Sequence, residues 1–384
     1  MSRFLPLLAL GAALAAGACR DASNSSGSTS QPILPPLAGT NGCNGTDVDF
    51  DPPPVPVQIP LALHVPGPLS QVAGARGAEL LYLTGAAGQV TEVDLAADQA
   101  ETVLLSPGFL DSFLSLALGA GTTAEISGLA VLDDEFLVVM EHSVNVVLLV
   151  SRETPDTVQL LAGFPSASPG FADGLSVTAR FSFDQPSQLA PSGEGRLFIV
   201  DSGNHALRVL DQGFIGTLAG TGAADFADGS LQEARFDTPT GISVGCSNSL
   251  LVSERGDVGF GGHRIRDVVV GPPSFFGTFD GSVTTVSGDG EDETVQGVGD
   301  EASLAAPVAP VTSGEGELYF VDSETAVLRR VDSAGLVDCP QFADCASAVA
   351  GPFTPGSLFS LVLTDDGALF LYDADAGALW RINP

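Results

Sequence analysis

Short apolar runs bounded by glycine and acidic residues recur along most of the chain. Three align without a gap: SGEGRLFIVD (192–201), SGEGELYFVD (313–322) and TDDGALFLYD (364–373). In each, a glycine stands six residues before an aspartate, pairing Gly195 with Asp201, Gly316 with Asp322 and Gly367 with Asp373. This pattern predicts a tight turn at the glycine, followed by a strand of β-branched and aromatic residues. Looser copies are ARGAELLYLT (75–84), LDDEFLVVME (132–141) and CSNSLLVSE (246–254), which brings the copies to six. Their closing residues lie 51 to 68 positions apart, room for about four short strands in each repeat.

A further strand follows the acidic residue, most clearly in NHALRVLD (204–211), GHRIRDVVV (262–270), AVLRRVD (326–332) and ALWRIN (378–383). Each repeat then closes on an apolar segment ending in glycine, at Gly163, Gly220, Gly288 and Gly351. Six antiparallel four-stranded units predict an all-β fold, a six-bladed β-propeller over 55–384, whose radial closure hides sheet edges that would otherwise aggregate. The last unit stops after its third strand. The alternating segment VPVQIPLALHV (55–65) is expected to supply the missing outer strand and so lock the ring.

The stretch GFADGLSVTARFSFDQPSQLAPSGEGRLFIVDSGNHALRVLD (170–211), followed by TLAGTGAADFADGSLQEARFDTPTGISV (217–244), resembles NHL repeats in tandem. The motifs ADG, ARF, P-x-x-(I/L), D-S-G-N-H and L-R-V recur in that order. The resemblance covers 170–270 most fully, extends through 295–349 and 361–383, and fades over 72–161, where the N-H pair is missing. It implies an NHL-repeat propeller of the bacterial lipoprotein type.

The N-terminus supports that type. Residues 4–18 carry no charge, follow Arg3 and end in Ala16, Gly17 and Ala18 before Cys19. Fifteen apolar residues are too few to span a bilayer, which needs about 20, and read as a secretory signal peptide over 1–18. Ala16 to Cys19 resembles a lipobox, with Cys19 as the lipidated residue, although Ala16 stands where that motif usually has leucine. Cleavage after Ala-x-Ala by ordinary signal peptidase is the other reading. Residues 19–54, rich in Ser, Gly and Pro, are expected to form a flexible tether.

Composition narrows the partners. The 384 residues contain 47 Asp and Glu against 14 Lys and Arg, a formal charge of −33, and every basic residue is arginine. Such a chain cannot neutralise a run of phosphates, which argues against nucleic acid as a partner and leaves membrane contact to a lipid on Cys19. With 44% hydrophobic and 16% charged residues there is ample material for a core.

Apart from Cys19, four cysteines remain, and in an exported chain they are expected to form disulfides. Three pairings are open; the short DCPQFADC loop favours Cys339 with Cys345, leaving Cys43 with Cys246. Zinc is disfavoured because no C-x-x-C or nearby histidine pair is present.

Candidate chemistry reads mainly as structure. His205 and His263 precede arginine-bearing strands at equivalent repeat positions, which points to a turn and packing role. His64 and His142 have no metal-ligand spacing around them. Asp173 with Arg180 and Asp228 with Arg235, each seven apart, are expected to form ion pairs between blades. DGEDE (289–293) resembles part of a calcium loop but has Thr294 at the glycine position, so Ca²⁺ is at most a weak ligand and no cofactor is assigned. The segments expected to line the channel, ISGLAV (126–131), SQLAP (187–191), TGISV (240–244), VAPV (308–311) and SLFSLV (357–362), contain no His, Asp, Glu or Cys. No catalytic, cofactor-binding or metal-ligating residue is therefore assigned. The sequence points to a non-catalytic binding scaffold, exported and lipid-anchored, whose partner in the bacterial cell envelope is a protein or glycan. A metal-dependent hydrolase or lyase in the channel is the second reading.

Overall fold

The glycine turns fall where the pattern places them. Gly195, Gly316 and Gly367 have φ of 79°, 91° and 85°, in the left-handed region that glycine enters without a Cβ penalty. They lead into Leu197–Asp201, Leu318–Asp322 and Leu369–Asp373, each the second strand of its sheet. The computed structural model describes residues 56–382 apart from 68, 75–79, 98, 119–122, 167, 185, 193, 246–248, 257–260, 274–277, 315, 341–351 and 365–366.

Six antiparallel sheets form the blades. Their innermost strands are Val72–Gly74, Ile126–Val131, Leu189–Pro191, Pro239–Val244, Pro307–Thr312 and Phe359–Leu363. Each innermost strand lies beside the next, and the sixth returns to the first, so the strands surround one axis. The core is divided among the seams between blades. In the seam of blades 2 and 3, for example, Val138 and Met140 pack with Phe181, Phe183 and Ile199. Ile59 and Tyr372 pack with Val72 and Leu81 in the seam that joins blade 6 to blade 1.

The chain closes the ring as its ends predict. Val57–Ile59 pairs antiparallel with Ala378–Arg381 as the outer strand of blade 6, with Val57 opposite Arg381 and Ile59 opposite Leu379. The segment that follows is pinned twice. Glu101 accepts the backbone N–H groups of Ala62, Leu63 and His64, and His64 Nε2 shares a 2.7 Å hydrogen bond with the Tyr372 hydroxyl.

The first half, where the motif fades, contains two complete four-stranded blades, as the repeat copies there predict. Two features depart from the sequence expectation. Blades 3, 4 and 5 each gain a fifth, two-residue strand: Gly174–Leu175, Gly229–Ser230 and Gly297–Val298. Between blades 1 and 2 lies a helix, Phe109–Leu118, that buries Leu110 and Leu114 and leaves Leu116 exposed.

The ion pairs also differ from expectation. Asp173 pairs with Arg208 at 2.6 Å and Asp228 with Arg266 at 2.7 Å, whereas Arg180 donates to the carbonyl of Ser168 and Arg235 pairs with Asp225. The reason is geometric. The peptides of Ala172 and Arg180 bond to each other across a small bridge, as do those of Ala227 and Arg235. Their carbonyls accept from the buried arginine of the third strand: Arg208 donates to Ala172 and Arg180, and Arg266 to Ala227 and Arg235. The same arginine reaches the carboxylate closing the second strand, Arg208 to Asp201 at 2.7 Å, Arg266 to Glu254 at 2.5 Å and Arg329 to Asp322 at 2.5 Å, with every partner fully buried. The ARF phenylalanines complete the cage, since Phe181 and Phe236 each lie 5.2 Å from the guanidinium they face. Burial nevertheless pushes Asp201 up to about 6 and Glu254 to about 7 against the pull of these arginines.

A second device joins successive blades. Asn145, His205 and His263 adopt left-handed φ of 56°, 47° and 57°. Their side chains accept the N–H of Phe183, Thr238 and Ala306, at 2.9, 3.1 and 3.1 Å, each on the approach to the next blade. The turn and packing role expected of the two histidines is thus observed. Each main-chain carbonyl presses on the glycine closing its blade: a Cβ on Gly163, Gly220 or Gly288 would lie 2.7, 2.6 or 2.3 Å from it.

Two outcomes follow. Burial lowers the His64 pKa from 6.5 to about 4, with Glu101 opposing. The folded chain therefore binds this proton less readily than the unfolded chain, and about 3 kcal/mol of stability is lost as pH falls from about 6.5 to about 4. Urea unfolding of His64→Gln should show a correspondingly smaller loss over that window than the native chain; equal losses would remove His64 as the acid-sensitive clasp. Arg208→Met should cost about 3–5 kcal/mol by stranding Asp201, whereas Arg235→Gln, which breaks a half-exposed pair, should cost less than about 1 kcal/mol. Equal small effects in denaturant unfolding would contradict the role given to Arg208.

Candidate functional site

The segments expected to line the channel are the innermost strands. Their small and branched residues pack around the axis because six strands converge there, which leaves little room for long side chains. Antiparallel connectivity puts the turns between first and second strands, and those between third and outer strands, at one end of the ring. We call this the lower face; the links between second and third strands form the upper face.

On the lower face the channel opens into a depression of about 340 Å³ walled by Ala130, Ala190, Ile242, Val244, Val311 and Leu361. Its rim carries Asp133, Asp134 and Arg152, which the sequence reading missed because they lie in turns rather than on the strands. Arg152 donates to the carbonyl of Asp133 at 2.7 Å and lies over the Tyr82 ring at 5.2 Å. Burial, then Glu92, raises the Tyr82 pKa, so the phenol keeps its proton at neutral pH. Asp134, Glu135, Glu153 and Glu194 are exposed on turns of the same face. A neighbouring cleft of about 360 Å³ runs between blades 3 and 4, bordered by Arg196, Phe198, Val270 and Pro272. There Arg196 is held by Glu194 at 2.5 Å and lies 5.3 Å from the Phe279 ring.

The upper end is almost shut. A cavity of about 20 Å³ remains among Gln71, Gln188, Thr240, Arg255 and Phe359. The acidic DGEDE segment lies apart from it and is tied into its own turn: Asp289 accepts from the Glu291 N–H and the Ser303 hydroxyl, at 2.9 and 2.8 Å.

The histidines are dispersed. His64 serves the closure, His205 and His263 the blade seams, and His142 hydrogen-bonds through Nδ1 with the Phe183 carbonyl. Among the described residues no group of three or more His, Cys, Asp or Glu is placed to hold a metal ion. Glu141, buried without an arginine, is satisfied by the Ser143 hydroxyl and by the N–H groups of Glu125, Ser143 and Val144; burial raises its pKa. Cys339 is buried. Cys19, Cys43, Cys246 and Cys345 lie outside the described residues, as do the signal peptide and tether. No described helix is long and apolar enough to cross a membrane.

No protein-family model matches the chain. A stretch of 86 residues, 22% of the chain, is 31% identical to Protein SUPPRESSOR OF QUENCHING 1, chloroplastic, of Arabidopsis thaliana, and spans only 8% of that protein. Among solved structures, an auxiliary nutrient binding protein from Bacteroides thetaiotaomicron superposes with a TM-score of 0.53 at 14% identity, over 89% of this chain and 75% of that one. A gluconolactonase from Xanthomonas campestris superposes with a TM-score of 0.52 at 15% identity, over 83% of this chain and 86% of that one. At such identities the likeness is one of fold. Together with the six observed sheets, it identifies the fold as a six-bladed β-propeller.

Proposed function

We propose that this propeller is a non-catalytic binding scaffold that presents its lower face to a protein or glycan partner in the cell envelope. The observation that carries this reading is the depression on that face: an apolar wall around about 340 Å³, rimmed by Asp133, Asp134 and Arg152. Such a surface recognises a partner by shape, with a few polar groups fixing orientation. The fold shared with an auxiliary nutrient binding protein supports a binding role. Export by the signal peptide, a lipid on Cys19, the tether over 19–54 and disulfides pairing Cys339 with Cys345 and Cys43 with Cys246 complete the proposal, placing the propeller at the periplasmic or outer surface of a membrane.

The likeness to a gluconolactonase favours a second reading, a metal-dependent hydrolase or lyase in the channel. That chemistry needs several carboxylates or imidazoles converging on an ion that activates water. The inner strands carry none.

Metal analysis of the purified full chain, combined with glycan-array and envelope-extract retention, tests the proposal. It expects no stoichiometric metal, and retention of a partner that Val244→Arg, in the wall of the depression, abolishes while the thermal transition is kept. One Ca²⁺ or Zn²⁺ per chain, or retention indifferent to Val244→Arg, would overturn it.

A further inference from the structure

The upper end of the channel holds an arginine that the fold does not use. Every other described arginine has a hydrogen bond, ion pair or ring contact with the protein. Among the described residues none engages the guanidinium of Arg255, which follows Glu254 at the end of the second strand of blade 4 and borders the 20 Å³ cavity. In a chain with a formal charge of −33, an unspent cation at the axis is conspicuous.

The same cavity contains a second unspent group. Thr240 is 5% exposed, and its Oγ1 is buried with no hydrogen-bond partner. A buried hydroxyl left unmade costs about 1–3 kcal/mol, so a native structure rarely keeps one without a ligand or water to satisfy it. A third is Gln188. Its Oε1 accepts the Ile242 N–H at 3.0 Å, which leaves its amide NH₂ as a donor with no protein partner among the described residues. Arg255, Gln188 and Thr240, each with a polar group that has no protein partner among the described residues, therefore border one small space.

From this geometry we propose that the upper mouth is a carboxylate subsite, taking the carboxylate end of a small organic anion whose body projects outward. A fork of N–H donors matches the two oxygens of a carboxylate and forms the stronger, charge-assisted class of hydrogen bond. The space of about 20 Å³ is little more than one water needs, so it takes the oxygen end of a carboxylate while the rest of the anion stays outside, and it excludes a sugar ring. It lies at the end of the channel opposite the lower depression, and of the residues used in its test neither Arg255 nor Thr240 borders that depression.

Saturation-transfer NMR of the full chain with sodium acetate, at constant ionic strength, tests the site. Acetate has few atoms, and a saturable response with a Kd of about 1 mM or weaker is expected, with none for neutral acetamide. Arg255→Gln and Thr240→Val should each weaken acetate by about tenfold or more, Thr240→Ser should restore it, and Arg235→Gln should leave it unchanged. Neither Arg255 nor the Thr240 hydroxyl supports the fold, so circular dichroism and the thermal transition of these variants should match the native chain. The proposal is overturned by acetate binding that survives Arg255→Gln, by acetamide or phosphate binding as well as acetate, or by no saturable response.

Discussion

A guanidinium buried between two strands and a loop is the constraint on which blades 3, 4 and 5 of this ring depend. Arg208, Arg266 and Arg329 each join the end of the second strand to the segment that enters the same blade from its predecessor. Burying a charged pair is costly, and the rise of Asp201 and Glu254 toward neutral pKa values shows that desolvation is not fully repaid by the arginine alone. What makes the arrangement viable is the number of groups satisfied at once. Arg208 meets two carboxylates and two peptide carbonyls and lies against two phenyl rings. The tandem motifs are parts of this cage rather than separate features: ADG supplies the outer carboxylate, ARF the carbonyl and ring, and L-R-V the arginine.

Where the arginine is missing, the ring is held differently. Thr91 and Leu148 occupy the arginine positions in blades 1 and 2, and Trp380 does so in blade 6. Blade 2 keeps the buried carboxylate, Glu141, but satisfies it with local N–H groups and a serine hydroxyl. Blade 1 ends its second strand in Thr84, whose hydroxyl accepts the Gln71 N–H at 2.8 Å. Apolar packing, with the helix Phe109–Leu118 laid against the first seam, takes over the connecting role. Blade 6 borrows a strand from the start of the chain, and His64 and Tyr372 fasten that seam.

Much of the fold was legible because a propeller repeats its local physics. Turn glycines, acidic strand ends and closing glycines occupy one structural position in successive blades, and an alternating segment before the first unit matched the strand absent from the last. The ion pairs were not legible. Asp173 and Arg180 are close in sequence, but a backbone bridge leaves their side chains facing different neighbours, and the actual partner lies 35 positions away. The helix carried a readable pattern of Phe109, Leu110, Phe113 and Leu114, overshadowed by the strand period around it. The fifth strands are two residues long, too short for any periodicity. The axial groups were harder still, since Gln71, Gln188, Thr240 and Arg255 come from four separate turns and strands and meet only when the ring closes.

Bracing of only three blades by arginine cages implies an order of stability within the molecule. Native-state hydrogen exchange followed by mass spectrometry measures this most directly. Second-strand and third-strand amides of blades 3, 4 and 5 should exchange only with global unfolding, whereas those of blades 1 and 2 should exchange through smaller openings. Uniform protection around the ring, or earlier opening of blade 4 than of blade 1, would contradict the account.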